Sequence, residues 1–563
     1  MTPQFDIKQA FKRKVREVVR ALPGKVSPDW PALLGTDYGR WHEVRRAAEQ
    51  GPKILVATST GGHRAVASLE SLLAVALTLR GANVHVLLCD KLLPACLQAV
   101  SIDFHSHADF ATHGPQPTLC DSCFETGRRI YEPLGLPIHF YSELLTEADE
   151  TTAATIANEI DIADIAEYCR DGLPVGEHAL AGALKYVARG TLEGEPHAEA
   201  VLRRYLRSAL LTVSATSRLL ATHRFEAICL NHGIYVPPGL IAAMARRAGV
   251  RVVTWNPAYR KQSFIFSHGD TYHHTLMSEP TSSWEDLEWN DALDRRLTSY
   301  LDSRVHGTQD WIWFHEHPNE DLASIADEIG LDLTKVAIGM LTNVVWDAQL
   351  HYPANAFPTM IDWVVETVRY FVGRPELQLV VRAHPAEIRG WPASRQPILD
   401  EIRNAFPNLP DNIILVPPAS RVSTYAVMRH CDSVLIYGTK TGVELSSIGI
   451  PVIVAGEAWI RNKGISLDAA TAAEYFQLLD QLPLGTRMAD AVVERARRYA
   501  YHFFFRRMIP LSMTRPVSRW RPYEFDITGL DDLQHGRDAG LDVICDGILS
   551  GTPFIYPDEV LNR

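Results

Sequence analysis

Residues 433–454 read SVLIYGTKTGVELSSIGIPVIV, and the fold turns on how this stretch is parsed. Ser433 to Tyr437 form a short apolar run that ends at Gly438-Thr439-Lys440-Thr441-Gly442. A helical pattern follows from Thr441 to Ile448, then Gly449-Ile450-Pro451, and Pro451 to Val454 form a second apolar run. Strand, glycine-bearing turn, helix and strand make up the repeating unit of a parallel sheet covered by helices. Working outward, VAIGM (336–340), QLVV (378–381) and NIILV (412–416) supply further strands, with helices expected over 361–372 and 422–428.

The same grammar recurs nearer the N-terminus. KILVA (53–57) leads into Ser59-Thr60-Gly61-Gly62-His63, a helix over 65–80 that Gly81 stops, and NVHVLL (83–88). AICL (227–230) and VRVVT (250–254) flank a helix over 239–248, and about 144–224 is rich in Ala, Glu and Leu. The reading is α/β: two Rossmann-like domains facing a cleft, with a helical insertion in the first. The expected boundaries are a lead-in over 1–48, a first domain over 49–278 with its insertion at about 144–224, a connecting region over 279–330, a second domain over 331–497, and a crossover and tail over 498–563. The basic, aromatic run RYAYHFFFRRM (498–508) reads either as a helix crossing back to the first domain or as a core helix.

Composition excludes several classes. A 563-residue chain with 46% hydrophobic and 22% charged residues has ample apolar surface for packed cores. Fifty-five basic against 67 acidic residues give a net charge of −12, which argues against a nucleic-acid partner and leaves room for one local anion site. No run approaches the roughly 20 apolar residues of a membrane span, and no secretory leader is read, so a cytoplasmic location is expected. Apolar residues at helical spacing over 5–22, with Lys8, Lys12, Arg13, Lys14, Arg16 and Arg20 around them, read as a helix. Its basic face either meets solvent or lies peripherally on the inner face of an anionic membrane.

Ligands of open parallel sheets bind beyond the carboxyl ends of the strands. Arg382 and His384 follow one strand and can donate to phosphate oxygens, although a strand-end histidine can equally cap backbone groups. Gly438, Thr439, Lys440, Thr441 and Gly442 follow another and suit a phosphate, with spacing unlike a Walker A loop. Glu444 can accept from a ribose diol or serve as an ordinary first-turn acid. A base to deprotonate an acceptor is sought among His63, His232, His268 and Asp270, and the sequence does not choose among them. Cys89, Cys96, Cys120 and Cys123 can be drawn as a zinc set, yet one C-x-x-C with a loosely spaced pair favours free buried thiols. His273-His274 lacks the companion carboxylate of a catalytic metal site. No catalytic metal and no cofactor are expected, and the G-x-S-x-G elbow is absent.

Arg382-Ala383-His384-Pro385, with Gly438 to Glu444 running on to Gly449-Ile450-Pro451-Val452-Ile453-Val454, resembles the GT-B glycosyltransferases of the capsule polysaccharide biosynthesis group, which includes Kdo transferases. The resemblance covers roughly 330–500. It implies that His384 contacts the donor phosphate and that Thr439 to Glu444 bind a nucleotide-sugar linked to CMP, UDP or GDP. The acceptor would be a glycan or glycolipid of capsule or lipopolysaccharide type, and transfer would be metal-independent. Two other readings stay open: a nucleotide-sugar epimerase of the same double-Rossmann shape, and a non-catalytic component of a polysaccharide assembly complex.

Overall fold

The computed structural model describes residues 27–100, 106–311, 317–348, 354–390, 392–517 and 523–561. The helix expected over 5–22 lies outside them. The first sheet contains β1 (Lys53–Ser59), β2 (Asn83–Leu88), β3 (Ile138–Phe140), β4 (Ala227–Asn231), β5 (Arg251–Pro257) and β6 (Ser263–His268). The second contains β7 (Val336–Leu341), β8 (Leu377–Arg382), β9 (Ile413–Val416), β10 (Ser433–Ile436), β11 (Val452–Val454) and β12 (Leu467–Asp468). A last short strand, β13 (Ile509–Pro510), returns to the first sheet.

Strand order identifies both sheets as Rossmann-like. The first runs β13-β6-β5-β4-β1-β2-β3, with β3-β2-β1-β4-β5 parallel and β6 and β13 added antiparallel at one edge. The second runs β12-β11-β10-β7-β8-β9 and is parallel throughout. In each sheet the order reverses between two neighbours, β1 and β4 in one and β7 and β10 in the other. These are the switch points at which such sheets bind ligands.

The strands are buried on both faces, which explains why they read as continuous β-branched runs. The helix Arg64–Leu79 is buried from Val66 to Thr78 because it is enclosed by β1, the tail and the N-terminal helices, and its buried Glu70 accepts from the Trp255 indole at 2.9 Å. Helices Glu147–Glu159, Val175–Val187 and Ala198–Thr222 fill the stretch read as an insertion, and they pack one core on the first sheet.

Two segments differ from the reading, and a third follows one of its two alternatives. The stretch 279–330 is more than a connector, because it contains helices Asp291–His306 and Leu322–Ile329. Asn290 caps the first of these, accepting from the N–H groups of Ala292 and Leu293, and Gly307 ends it at φ 64°. Ser263 to His268, read partly as a site loop, is the antiparallel strand β6. Helix Asp490–Tyr501 continues through a π-helical turn over His502–Arg506 into β13 and so crosses between the sheets. The tail helix Ala539–Ser550 then buries Leu541, Ile544, Cys545 and Ile548 in the first core.

Candidate active site between the sheets

A cavity of about 530 Å³ opens at the carboxyl edge of the second sheet. Its walls include Leu341 at the end of β7 and Thr342 beyond it, Arg382 at the end of β8 and His384 beyond it, and Tyr437 to Thr441 after β10. Tyr259 and His273 come down from the first sheet, and Trp459 stands opposite them. The indole N–H of Trp459 donates to the carbonyl of His273 at 3.3 Å, and its ring centroid lies 6.0 Å from those of both His273 and Tyr259. Both halves therefore contribute to one pocket at the β7/β10 switch point.

On the second-sheet side, His384 is half-buried and its Nδ1 accepts from the N–H of Ala386 at 3.1 Å. That bond leaves the imidazole proton on Nε2, so the ring is a donor. Burial first, then the charges of Lys440 and Arg382, pull its pKa down to about 4, so the ring is neutral at physiological pH. Lys440 lines the cavity with its ammonium 4.9 Å from the centre of the Tyr259 ring and 3.3 Å from Glu444. Thr439 and Thr441 add hydroxyls to the same wall.

Three residues of the expected donor set are engaged by the protein's own groups or packing. Arg382 is 3% exposed; its guanidinium donates to the carbonyls of Pro417 and Ser420 and to the Thr424 hydroxyl, fastening the loop after β9 rather than holding out a fork to phosphate. Burial and Arg389 pull its pKa down to about 10. Glu444, also 3% exposed, does not wait for a ribose: Arg304 pairs with it at 3.1 Å, Lys440 at 3.3 Å, and the Tyr425 hydroxyl donates to it. Burial works to raise its pKa, yet these partners hold it down to about 2. Arg304 in turn pairs with Asp310 at 2.6 Å, so a buried network stands behind the cavity. Gly442 lies inside the helix Thr441–Ser447, where a Cβ would come within 2.7 Å of Ile436 and 2.8 Å of Ile460. Its small size lets the helix sit on β10, and it lies outside the cavity lining. At Gly438 a Cβ would make only ordinary contact, so its backbone is open toward the cavity.

On the first-sheet side the structure separates the four candidate bases. His232 follows β4 at the switch point with φ 66°, a left-handed backbone uncommon outside glycine, and its buried Nδ1 has no hydrogen-bond partner among the described residues. Its ring centroid is 5.7 Å from that of His273. His63 follows β1 at the same switch point but is turned to helix capping, its Nδ1 accepting from the N–H of Val66 at 3.4 Å. Desolvation and Lys185 lower its pKa. His268 is elsewhere: it stacks on Phe554 at 4.3 Å and bonds the carbonyl of Thr552 at 2.8 Å, under the tail. Asp270 is bound to His274 at 3.0 Å and to the N–H of Thr271 at 2.7 Å, outside the cavity wall.

Sequence reasoning weighed His273 only as a metal ligand and did not single out Asp347, Lys185 or Arg304. His273 and Asp347 both line the cavity. Asp347 accepts from Lys185 at 2.8 Å and from the Tyr235 hydroxyl at 2.6 Å, tying the loop after β7 to the first half. Burial raises and Lys185 lowers its pKa, and the net shift is downward, so it stays ionised. Burial pulls His273 down to about 4, against the opposing charge of Asp347, and pulls His232 down to about 3 with help from His273 and Lys185. Both rings are neutral bases at physiological pH.

Cys89, Cys96, Cys120 and Cys123 gather around the Gly61-Gly62 turn, where the N–H of Gly62 donates to Cys123 Sγ at 3.1 Å. All four are free thiols, and burial raises the pKa of each. Among the described residues no three of their sulfurs stand within 4.8 Å of one another.

The fold and cavity define a class: a double-Rossmann α/β protein with one pocket between its halves. No protein-family model and no curated protein matches the chain. Its neighbours among solved structures include the KpsC β-Kdo 2,4 transferase of Thermosulfurimonas dismutans, at 13% identity and TM-score 0.32, covering 49% of this chain and 79% of that one. They also include the UDP-GlcNAc 2-epimerase of Neisseria meningitidis bound to UDP-GlcNAc, at 9% and 0.24, covering 80% and 97%. The calicheamicin glycosyltransferase CalG4 matches at 14% and 0.23, covering 80% and 94%.

Proposed function

We propose that the protein is a glycosyltransferase that moves a sugar from a nucleotide-sugar to a hydroxyl of a surface glycan or glycolipid. One observation carries this reading: a single cavity has phosphate donors on one wall and a neutral histidine on the other. His384 Nε2–H, the Lys440 ammonium and the hydroxyls of Thr439 and Thr441 suit the negative charge that develops on a departing nucleotide. The aromatic faces of Tyr259 and Trp459 suit a base or sugar ring. In this reading His273, which lines the cavity beside His232 and Asp347, takes the acceptor proton as the new bond to the sugar forms.

Incubation with CMP-, UDP- and GDP-sugars, with and without glycan acceptors, tests the reading. Acceptor-dependent release of free nucleotide is the expected result. Interconversion of a sugar nucleotide in the absence of acceptor would replace the transferase by an epimerase.

A further inference from the structure

A second cluster lies away from the cavity, near the amino-terminal side of the first sheet. His85 is the third residue of β2 and is 5% exposed. Register pairs Leu87 with His139 of β3, and side chains two apart share a face, so His139 and His85 stand on the same face of the sheet. His223 ends the helix Ala198–Thr222 and completes the group. One ring nitrogen from each of the three histidines lies within 4.8 Å of the other two, and His85 Nδ1 and His139 Nε2 share a hydrogen bond of 2.8 Å. Among the described residues this is the group of metal-type side chains drawn that close.

We propose that His85, His139 and His223 bind one divalent transition-metal ion of the zinc class. Ring spacing is compatible with a shared ion, which would replace the 2.8 Å hydrogen bond that joins His85 Nδ1 and His139 Nε2. Imidazole nitrogens bind zinc at about 2.0–2.1 Å, and a ring centre lies about 1.1 Å beyond the nitrogen, so three rings on one tetrahedral ion have centres about 5.2 Å apart. The observed separations are 5.1 Å for His85–His139, 5.1 Å for His85–His223 and 4.8 Å for His139–His223. Binding needs each ring to carry its proton on the nitrogen turned away from the ion, so the proton shared between His85 Nδ1 and His139 Nε2 moves to a far ring nitrogen when the ion enters. Three imidazoles and no carboxylate select a borderline ion such as Zn²⁺ or Co²⁺ over Mg²⁺ or Ca²⁺. The nearby charge of Lys53 suits a neutral or anionic fourth ligand. Such an ion would clamp β2, β3 and the end of the long insertion helix together.

The test uses the full chain stripped by a chelator and titrated with Zn²⁺, then with Co²⁺ as a visible probe. The expected result is one ion per chain, a rise in melting temperature on adding zinc, and the visible absorption of tetrahedral Co²⁺ with nitrogen ligands. His223→Ala, at the helix end, and His139→Ala should each abolish stoichiometric uptake and the zinc-induced rise, while Cys120→Ser should retain both. Absence of uptake by the wild-type chain would overturn the proposal, as would uptake that survives both histidine variants or is lost in Cys120→Ser alone. If His139→Ala fails to fold, His223→Ala decides, together with anomalous scattering from a zinc-soaked crystal, where the peak should lie between the three rings.

Discussion

At the scale of single residues, His384 and Glu444 make opposite predictions although the sequence put both on the donor. A charge-assisted hydrogen bond is worth about 1.5–3 kcal/mol. His384→Ala should therefore weaken nucleotide-sugar binding by about ten- to a hundredfold in calorimetry, with little change in melting temperature. Glu444→Gln leaves Arg304 and Lys440 without their shared carboxylate, and breaking a buried pair costs about 3–5 kcal/mol. It should lower the melting temperature markedly; intact stability with lost donor affinity would return Glu444 to the ligand. Its depressed pKa gives a sign as well. The pair's stability is present above the ordinary glutamate value of about 4.3 and is lost as pH falls toward about 2. For catalysis, protonating His273 removes the base, so kcat/KM should hold through neutral pH and fall toward about 4, and His273→Ala should abolish that limb. A limb near 6.5 that persists in the variant would transfer the role elsewhere. The sequence showed His384 and Lys440 because they follow recognisable strands. It could not show that Arg382 and Glu444 are already satisfied, since their partners at Pro417, Ser420 and Arg304 are set by tertiary packing.

At the scale of elements, the buried parallel strands were legible because burial on both faces writes itself as apolar runs, as in SVLI and LQLVVR. The helix Asp291–His306 was legible too, had Asn290 and Gly307 been weighed as caps, and it delivers Arg304 to the network behind the cavity. Strand β6 was harder, because Ser267 and His268 look like site chemistry until the pairing of Trp255 with Phe266 shows a hairpin. Gly442 lends the element scale a clean test. Gly442→Ala would drive a methyl into Ile436 and Ile460, and overpacking of this kind costs about 1–3 kcal/mol. A lower melting temperature with unchanged donor affinity is expected, whereas an affinity loss at unchanged stability would make the glycine a ligand contact.

At the scale of the whole molecule, the two sheets act as one unit because the chain laces them together. Helix Asp490–Tyr501 leads into β13 on the first sheet, Asp347 reaches Lys185 and Tyr235, and Arg395 pairs with Glu195 at 2.8 Å. That lacing also explains why His273 could not be chosen from sequence: 186 residues separate it from Trp459, whose indole bonds its carbonyl across the cavity. The acidic average of the chain, −12 overall, is silent about this pocket, whose donors are gathered from β8 and β10. The central claim is that the pocket holds a nucleotide-sugar between the halves. Calorimetric titration of the full chain with a panel of CMP-, UDP- and GDP-sugars tests it most directly: the account predicts saturable binding of at least one donor, at one site per chain, weakened by His384→Ala, and heats indistinguishable from dilution for every member of the panel would contradict it.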